Sequence, residues 1–157
     1  MSTVPFSIVI PTRQRHDTLK YAIESVLNQT FQDFELIIMD NFSTPETAEV
    51  VFSFSDDRIK YYRAPQRFCM MENWELGLSY TTGEYIGFIG DDDALMPDGL
   101  AIGQQLIAHY RTQAITWQAP RYHWGSVIAP WLRNLLSISL NQANPQICNS
   151  RQFLIQL

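Results

Sequence analysis

Short β-rich runs of apolar residues alternate along the chain with longer stretches in which apolar residues recur at helical spacing. Four runs are rich in β-branched and aromatic residues and predict strands, namely Phe6–Ile10, Phe34–Met39, Ile59–Arg63 and Tyr85–Ile89. We expect the fourth of them to be buried. A shorter run at Ala114–Trp117 predicts a fifth strand.

Four helices are predicted between and after these strands. The first is the clearest, because Asp17 or Thr18 can cap its start and five apolar residues share one face, namely Leu19, Ala22, Ile23, Val26 and Leu27. The second opens at Thr44-Pro45 and ends near Ser53. The last two cover Met71–Tyr80, with Trp74, Leu76 and Leu78, and Asp98–Tyr110, with Leu100, Ile107 and Tyr110 pointing inward.

Strands that alternate with helices indicate βαβ units, and therefore an α/β fold with a mostly parallel sheet and helices on both faces. Such a sheet binds ligands beyond the carboxyl ends of its strands. Polar residues follow three of the predicted strands at that edge, as Thr12-Arg13, Asp40-Asn41 and Asp91-Asp92-Asp93. We expect them to converge on a nucleotide site.

Three consecutive carboxylates, Asp91 to Asp93, follow the fourth strand. Adjacent anions repel one another, and a divalent cation is the simplest compensation for that repulsion. Hard cations such as Mg²⁺ and Mn²⁺ prefer carboxylate oxygens and often share them with substrate phosphates. The alternative interpretation is a solvated acidic turn without a ligand.

The pattern weakens after Arg121. Residues 126–140 are rich in apolar side chains, and we interpret them as a packed core helix, with an interfacial helix on a membrane surface as the alternative. Residues 150–157 predict a helix or strand that is cut off in mid-pattern.

The length of 157 residues and the apolar content of 46% fit one folded domain. A net charge of −5 argues against a nucleic-acid partner, since such proteins show a basic footprint. Cys69 and Cys148 have no partner at metal-site spacing, which favours buried or half-buried free thiols in a reducing compartment. No signal peptide pattern and no apolar run of about 18 residues is visible, so we expect a cytoplasmic location.

Four segments, in order and with matching spacing, resemble the family 2 glycosyltransferases of the GT-A fold. They are Ser7-Ile-Val-Ile-Pro-Thr-Arg, Ala22-Ile-Glu-Ser-Val-Leu-Asn-Gln-Thr, Glu35-Leu-Ile-Ile-Met-Asp-Asn-Phe-Ser, and Asn73 followed by Gly83-Glu-Tyr-Ile-Gly-Phe-Ile-Gly-Asp-Asp-Asp and Pro97. The resemblance covers roughly residues 6–110. It implies a Rossmann-like GT-A domain that is incomplete on its C-terminal side, with residues 1–113 as the nucleotide-sugar and metal-binding half and residues 114–157 as a truncated start of the acceptor-side half.

The resemblance also implies roles for single residues. Thr12, with Pro11 before it, would lie beside the nucleoside, and Asp40 would hydrogen-bond the base, expected to be uracil. Asp91 would reach the ribose and Asp92 would bind Mn²⁺ or Mg²⁺, directly or through water. The remaining candidates are Asp93 as second-layer support for the metal, Asn41, Ser43 and Asn73 around the nucleotide sugar, and Arg13, Arg15 and Arg67 as diphosphate partners.

Two positions depart from the family's pattern. Asn41 stands where many members carry a second acid. Gly90 stands where many carry an Asp, so the metal motif reads Gly-Asp-Asp rather than Asp-X-Asp. Members with a neutral residue at the latter point exist in the family pattern, so metal binding is still expected.

The activity implied is metal-dependent transfer of a sugar, with inversion, from a nucleotide diphosphate sugar to a hydroxyl of a saccharide or lipid-linked acceptor, as in polysaccharide or glycoconjugate synthesis. A general base is expected to be absent, because the last carboxylate is Asp98 and His123 is the only titrating substitute considered after the fifth strand. Peripheral association with the inner face of a membrane fits such an acceptor.

Two alternatives stay open. One is a non-catalytic fragment that binds a nucleotide sugar, favoured by the missing base. The other is a metal-dependent phosphotransfer enzyme with aspartates at strand ends. That chemistry requires a lysine at a further strand end, and the only lysines are Lys20 and Lys60.

Overall fold

The computed structural model describes residues 5–115, together with the short segments 121–122 and 136–137. The chain divides into two compact units, Met1–Ile115 and Thr116–Leu157. In the first unit the strands are β1 (Phe6–Thr12), β2 (Phe34–Asp40), β3 (Ile59–Arg63) and β4 (Tyr85–Phe88). Its helices are α1 (His16–Leu27), α2 (Pro45–Phe52), α3 (Met70–Ser79) and α4 (Gly99–Tyr110).

The four strands form one sheet in the order β3-β2-β1-β4, and each neighbouring pair is parallel. The chain therefore moves from β1 outward through β2 to β3 and then returns to the other side of β1. Helices α1, α2 and α3 connect successive strands, and a parallel pair requires such a crossover. The predicted α/β fold with a parallel sheet is confirmed for this part of the chain.

The core lies on both faces of β1 and β2, whose apolar residues are almost entirely buried. One face packs on α1, α2 and α4, with Ile8, Ile10 and Leu36 of the strands meeting Leu19 and Ile23 of α1. The opposite face, which includes Val9, Ile37 and Met39, packs on α3 through Leu76. Continuous apolar runs in β1 and β2 follow from this two-sided burial.

The sheet opens between β1 and β4 at its carboxyl edge. The ladder between β1 and β2 continues to Thr12 and Asp40, whereas the ladder between β1 and β4 ends at Val9 and Phe88. Successive residues of a central parallel strand form hydrogen bonds alternately with its two neighbouring strands. The carbonyl of Val9 accepts from Ile89 N, on the β4 side, so the backbone of Pro11 also faces β4. Proline has no N–H to continue the ladder, which leaves a gap where the strand order reverses.

A buried polar cluster closes the opposite, amino-terminal edge of the sheet. Glu35 is 3% exposed and accepts hydrogen bonds from Ser7 Oγ, from Thr82 N at 2.6 Å and from Lys60 Nζ at 2.5 Å. Gly83 N donates to Ser7 Oγ at 2.8 Å, and a Cβ at Gly83 would lie 2.6 Å from Ser7 N. Only glycine therefore permits this approach of the α3–β4 loop to β1.

Several expectations about the ends and faces of the elements are wrong. Helix α1 begins at His16 with Arg15 at the N-cap, so Asp17 lies in its first turn and neither Asp17 nor Thr18 caps it. Strand β4 is not buried, because it is the edge strand of the described sheet and Ile86 is 45% exposed. Tyr110, which was expected to point inward from α4, is exposed as well.

Cys69 is exposed rather than buried or half-buried. It is the N-cap of α3, where its Sγ accepts from Glu72 N and Glu72 Oε2 accepts from Cys69 N at 2.8 Å. Thiol and carboxylate thus form a capping box, which requires a position at the surface end of the helix. Cys148 lies outside the described residues.

The second unit contains β5 (Arg121–Tyr122) and β6 (Leu136–Ser137), which pair antiparallel. The predicted strand at Ala114–Trp117 is wrong at Ala114 and Ile115, which belong to no regular element, and its other residues lie outside the described part. The predicted helix over 126–140 is wrong at Leu136–Ser137, where apolar and serine residues alternate with the period of a strand. The rest of that segment, His123 and residues 150–157 are outside the described residues. None of the described helices is long and apolar enough to cross a membrane.

Candidate functional site

Two loops at the carboxyl edge of the sheet are bound to each other. Gln14, after β1, and Phe42, after β2, have φ values of 58° and 59°, in the left-handed region that non-glycine residues rarely adopt. Gln14 N donates to Ser43 Oγ at 3.0 Å, and Thr44 Oγ1 donates to Gln14 Oε1 at 3.1 Å. Strain of this kind persists where the surrounding structure enforces it, and it is frequent at ligand sites.

Asp40, the last residue of β2, is completely buried at this edge. Its Oδ1 accepts from Ser43 N at 2.9 Å, its Oδ2 accepts from Tyr61 OH at 2.6 Å, and Arg63 Nε lies 3.7 Å away. Burial raises the pKa of Tyr61, and the hydrogen bond to Asp40 raises it further, so the phenol stays protonated as a donor. Asp40 therefore organises the β2–α2 loop, and its contact with a base stays a prediction.

Arg63 and Phe42 form the exposed surface over Asp40. The guanidinium of Arg63 lies 4.5 Å from the centroid of the Phe42 ring and donates to Ser43 O at 2.8 Å, while Phe42 is 44% exposed. No motif or spacing in the sequence indicated a role for Arg63, Phe42 or Tyr61. The position of Arg63 at the end of β3, beside the end of β2, is the signal that could have identified it.

Asn41 is bound to the backbone of the loop that precedes α3. Its Nδ2 donates to Phe68 O at 3.0 Å, and its Oδ1 accepts from Phe68 N at 2.8 Å. This reciprocal pair uses both ends of the amide, which only an amide side chain can supply. Arg67, the adjacent predicted diphosphate partner, is exposed in the same loop.

Asn41→Asp is expected to lower the free energy of unfolding by about 1–2 kcal/mol, because a carboxylate cannot donate to Phe68 O and leaves that carbonyl unsatisfied. Urea denaturation measures the change. Gln66→Glu is the matched control, since it makes the same amide-to-acid change at an exposed position of the same loop. Equal stabilities of the two variants would show that the amide pair contributes nothing.

Thr12 and Asp91 meet across the gap between β1 and β4. Thr12 Oγ1 donates to Asp91 Oδ2 at 2.8 Å, although 79 positions separate the two residues in the chain. Both are largely buried. Burial raises the pKa of Asp91 above its ordinary value, while the hydrogen bond from Thr12 and the charge of Arg15 oppose that increase. The predicted convergence of the first and fourth strand ends is present in the structure.

Asp92 and Asp93 differ in their surroundings. Asp92 is half-exposed and accepts from Arg15 Nη1, which also lies 3.6 Å from Asp91 Oδ1. The hydrogen bond and the charge of Asp92 raise the pKa of Arg15. Asp93 Oδ2 instead accepts from Gly90 N at 3.2 Å and closes the turn after β4.

The carboxylates at this edge fit a hard divalent cation. A Cβ at Gly90 would lie 2.7 Å from Asp93 Oδ2 and 3.0 Å from Asp92 Oδ1, so a larger residue at position 90 would displace both acids. Within the described part of the chain, no three His, Cys, Asp or Glu side chains are grouped to hold a metal by themselves. Mg²⁺ in nucleotide sites is commonly bound by one or two carboxylates together with substrate phosphates, which Asp92 and its neighbours could satisfy.

Asn73 lies beneath the end of β2 rather than on the open surface. It is 3% exposed, and its Nδ2 donates to Met39 O at 3.3 Å. Its Oδ1 is buried and has no hydrogen-bond partner among the described residues. The structure thus brings Asn73 next to the site through Met39, whereas Arg13 is exposed in the β1–α1 loop.

A buried glutamine connects α1 to the segment that follows the aspartates. Gln29 is 1% exposed, its Nε2 donates to Met96 O at 2.7 Å, and its Oε1 accepts from Leu100 N at 3.0 Å. Thr30 N adds a hydrogen bond to Pro97 O at 2.8 Å. These contacts fix the far end of the acidic loop, and no sequence pattern indicated such a role for Gln29 or Thr30.

Comparison with known proteins identifies relatives of this arrangement. The model of the family described as Glycosyl transferase family 2 matches residues 7–154. A GalNAc(5)-diNAcBac-PP-undecaprenol beta-1,3-glucosyltransferase of Campylobacter jejuni is 37% identical over 99 residues, which are 60% of this chain and 32% of that protein. The UDP-Glc:alpha-D-GlcNAc-diphosphoundecaprenol beta-1,3-glucosyltransferase WfgD of Escherichia coli is 33% identical over 87 residues, or 55% of this chain and 34% of that protein. The chain spans about a third of the length of these relatives.

Solved structures share the fold. TarS 1–349 of S. aureus in complex with UDP-GlcNAc superposes with a TM-score of 0.65 and 21% identity over 68% of this chain and 32% of that chain. The mannosyltransferase PcManGT of Pyrobaculum calidifontis, in complex with GDP-Man and Mn²⁺, gives a TM-score of 0.61 and 17% identity over 69% of this chain and 33% of that chain. Both are GT-A transferases, so the GT-A type of α/β fold predicted from the sequence is confirmed.

Proposed function

The chain belongs to glycosyl transferase family 2, and from this membership we propose that it binds a nucleotide diphosphate sugar, with UDP favoured, at the carboxyl edge of its sheet. The observation that carries the proposal is the hydrogen bond between Thr12 and Asp91 across the point where the strand order reverses. Open parallel sheets bind nucleotides at that point. The reaction proposed for the complete protein is transfer of the sugar, with inversion, to an acceptor hydroxyl.

In this proposal, different residues at the carboxyl edge bind different parts of the nucleotide sugar. Asp91 contacts the ribose, the strained loops at Gln14 and Phe42 enclose the base, and the arginines of the β1–α1 loop bind the diphosphate. Asp92 would hold Mn²⁺ or Mg²⁺, which would neutralise charge on the leaving diphosphate. The Mn²⁺ in the complex of PcManGT is consistent with such a site.

The acceptor is proposed from the relatives. The names of the two glucosyltransferases above describe undecaprenol-linked acceptors, so we propose a lipid-linked saccharide here. A polyprenol acceptor lies in a membrane, and we therefore propose a cytoplasmic protein that works at the inner membrane face. Both statements are proposals, because the chain spans about a third of the length of these two relatives.

A non-catalytic nucleotide-sugar-binding role is the second candidate, and the charge distribution favours it. All 16 acidic residues lie within residues 1–98, so residues 99–157 contain no carboxylate that could deprotonate an acceptor hydroxyl. Transfer of sugar by the purified chain of 157 residues would exclude this candidate.

Titration calorimetry with UDP and GDP, each with and without Mn²⁺, tests donor binding. We expect UDP to bind about 100-fold more tightly with Mn²⁺ than without it, since the diphosphate and Asp92 would share the cation. GDP is expected to bind more weakly than UDP under both conditions. Failure of both nucleotides to bind in the presence of Mn²⁺ would refute the proposed function.

A further inference from the structure

Arg15 lies where it neutralises the two aspartates nearest to the proposed metal position. Its Nη1 donates to Asp92 and lies 3.6 Å from Asp91 Oδ1. Arg15 precedes α1 directly, and its carbonyl accepts from Thr18 N and from Leu19 N at 2.9 Å. The backbone of Arg15 therefore caps the start of the helix, while its side chain extends to the acidic turn.

The contact of Arg15 with Asp92 is exposed to water and can be exchanged for another anion. The side chains are 53% and 50% exposed, and ion pairs of that exposure contribute little to stability because water competes for both partners. A guanidinium fork also matches the oxygens of a diphosphate as well as those of a carboxylate. Arg15 can therefore leave Asp92 at small cost when a second anion is close by.

A divalent cation at Asp92 would compete with Arg15 for one carboxylate oxygen. Asp92 is the acid to which the proposed function assigns the metal, and its Oδ2 is the atom that accepts from Arg15. If a cation took Asp92 Oδ2 without nucleotide, Arg15 would lose this contact and keep only the longer one of 3.6 Å to Asp91 Oδ1. A diphosphate bound together with the cation would give Arg15 a new anionic partner.

We propose that Arg15 is an exchangeable counter-ion that couples the metal to the nucleotide, holding Asp92 in the free protein and transferring to the diphosphate when donor and metal bind together. The inference rests on the proposed function, since it requires a diphosphate and a cation at this edge. Either ligand alone must break the contact between Arg15 and Asp92, at a cost in binding free energy. When both ligands bind, this cost arises only once, so each ligand raises the affinity for the other.

Arg15→Gln removes the counter-ion and keeps the backbone cap. Mn²⁺ alone is expected to bind this variant about fivefold more tightly than the original chain, because no guanidinium has to be displaced. UDP with Mn²⁺ is expected to bind about tenfold more weakly, because a charged phosphate partner is lost. The factor by which Mn²⁺ strengthens UDP binding should consequently fall. Arg15→Lys keeps the positive charge but lacks the guanidinium fork. Its affinities for Mn²⁺ and for UDP with Mn²⁺ should lie between those of the original chain and those of Arg15→Gln.

The experiment measures free Mn²⁺ by electron paramagnetic resonance and UDP binding by calorimetry, for the original chain, Arg15→Gln, Arg15→Lys and Lys20→Gln. Lys20→Gln removes one positive charge from α1 at a residue that pairs with Glu24 rather than with the acidic turn. It should leave both affinities unchanged. Equal unfolding free energies of the variants would confirm that the fold is intact.

The outcomes separate the inference from the function on which it rests. If the original chain binds no UDP with Mn²⁺, the proposed function fails. If it binds UDP with Mn²⁺, and Mn²⁺ alone binds Arg15→Gln no more tightly than it binds Lys20→Gln, the proposed function stands and the counter-ion role is wrong. Tighter binding of Mn²⁺ alone to Arg15→Gln, together with a smaller enhancement of UDP binding, would establish the coupling.

Discussion

Replacing Asp92 with asparagine is expected to weaken the binding of UDP in the presence of Mn²⁺ by about 100-fold, or about 2.7 kcal/mol. The carboxylate is the predicted direct or water-bridged ligand of the cation, and a neutral amide oxygen attracts a hard cation far less than a carboxylate does. Without Mn²⁺ the affinity for UDP should stay the same or rise slightly, because Arg15 then loses Asp92 as a competing partner for the diphosphate. Calorimetry with and without the metal measures both values.

Asp33→Asn is the matched control for this change. It removes one carboxylate at an exposed position before β2, at the opposite edge of the sheet, and it should leave Mn²⁺-dependent binding of UDP unaltered. If Asp92→Asn bound UDP with the same dependence on Mn²⁺ as the original chain, the metal role assigned to Asp92 would be wrong. If Asp92→Asn weakens binding and Asp33→Asn does not, the general charge of the protein is excluded as the cause, since both variants carry the same net charge.

The sequence predicted the four strands and their parallel sheet well because local pattern and tertiary burial agree for β1 and β2. The apolar runs of β1 and β2 are buried on both faces, and the polar residues that follow them lie at one edge. Thr12 and Asp91 could be predicted to converge from strand ends alone, without knowledge of any side-chain rotamer. A rule about the edge of a parallel sheet was sufficient for this part of the site.

The partners within the site could not be predicted in the same way. These partners depend on loop conformations, which no sequence periodicity specifies. Examples are the contact of Asp92 with Arg15 and the contact of Asn41 with the backbone of Phe68. The backbone is left-handed at Gln14 and Phe42, and neither residue is a glycine, which is the usual sequence signal for that conformation. Resemblance to a family supplied roles for many of these positions, but hydrogen-bond partners come from the three-dimensional arrangement only.

Edge positions explain the errors in burial. The run that forms β4 has the composition of a buried strand, yet β4 has one neighbour in the described sheet and Ile86 is half-exposed. Composition reports how well a residue suits a pleated surface, and it does not report how many sides of the strand are covered. Cys69 was expected to be a buried or half-buried free thiol because it has no partner at metal-site spacing, but its sulfur caps an exposed helix end.

Glu35 carries the largest expected effect on stability, and no sequence pattern indicated a role for it. Burial would raise the pKa of this carboxyl, but hydrogen bonds from Lys60, Ser7 and Thr82 outweigh burial and lower the pKa from 4.5 to about 2. A group with a lowered pKa stabilises the fold above its unfolded value of 4.5, and that contribution disappears as the pH falls toward about 2. A shift of this size corresponds to at most about 3 kcal/mol.

Glu35→Gln is therefore expected to lower the free energy of unfolding by about 3 kcal/mol at pH 7, and by progressively less between pH 4.5 and about 2. The amide loses the charge that attracts Lys60 and turns one end into a donor, which faces the donors Ser7 Oγ and Thr82 N. Urea denaturation at pH 7, 4 and 3 gives the difference in unfolding free energy between the original chain and Glu35→Gln, and Glu84→Gln, at an exposed position beside β4, gives the background.

A difference that stays constant from pH 7 to pH 3 would mean that packing of the amide, and not the charge of Glu35, sets the loss of stability. A difference that shrinks with falling pH identifies the ionised carboxylate as the group that binds the amino-terminal edges of β1, β2 and β3 to the α3–β4 loop.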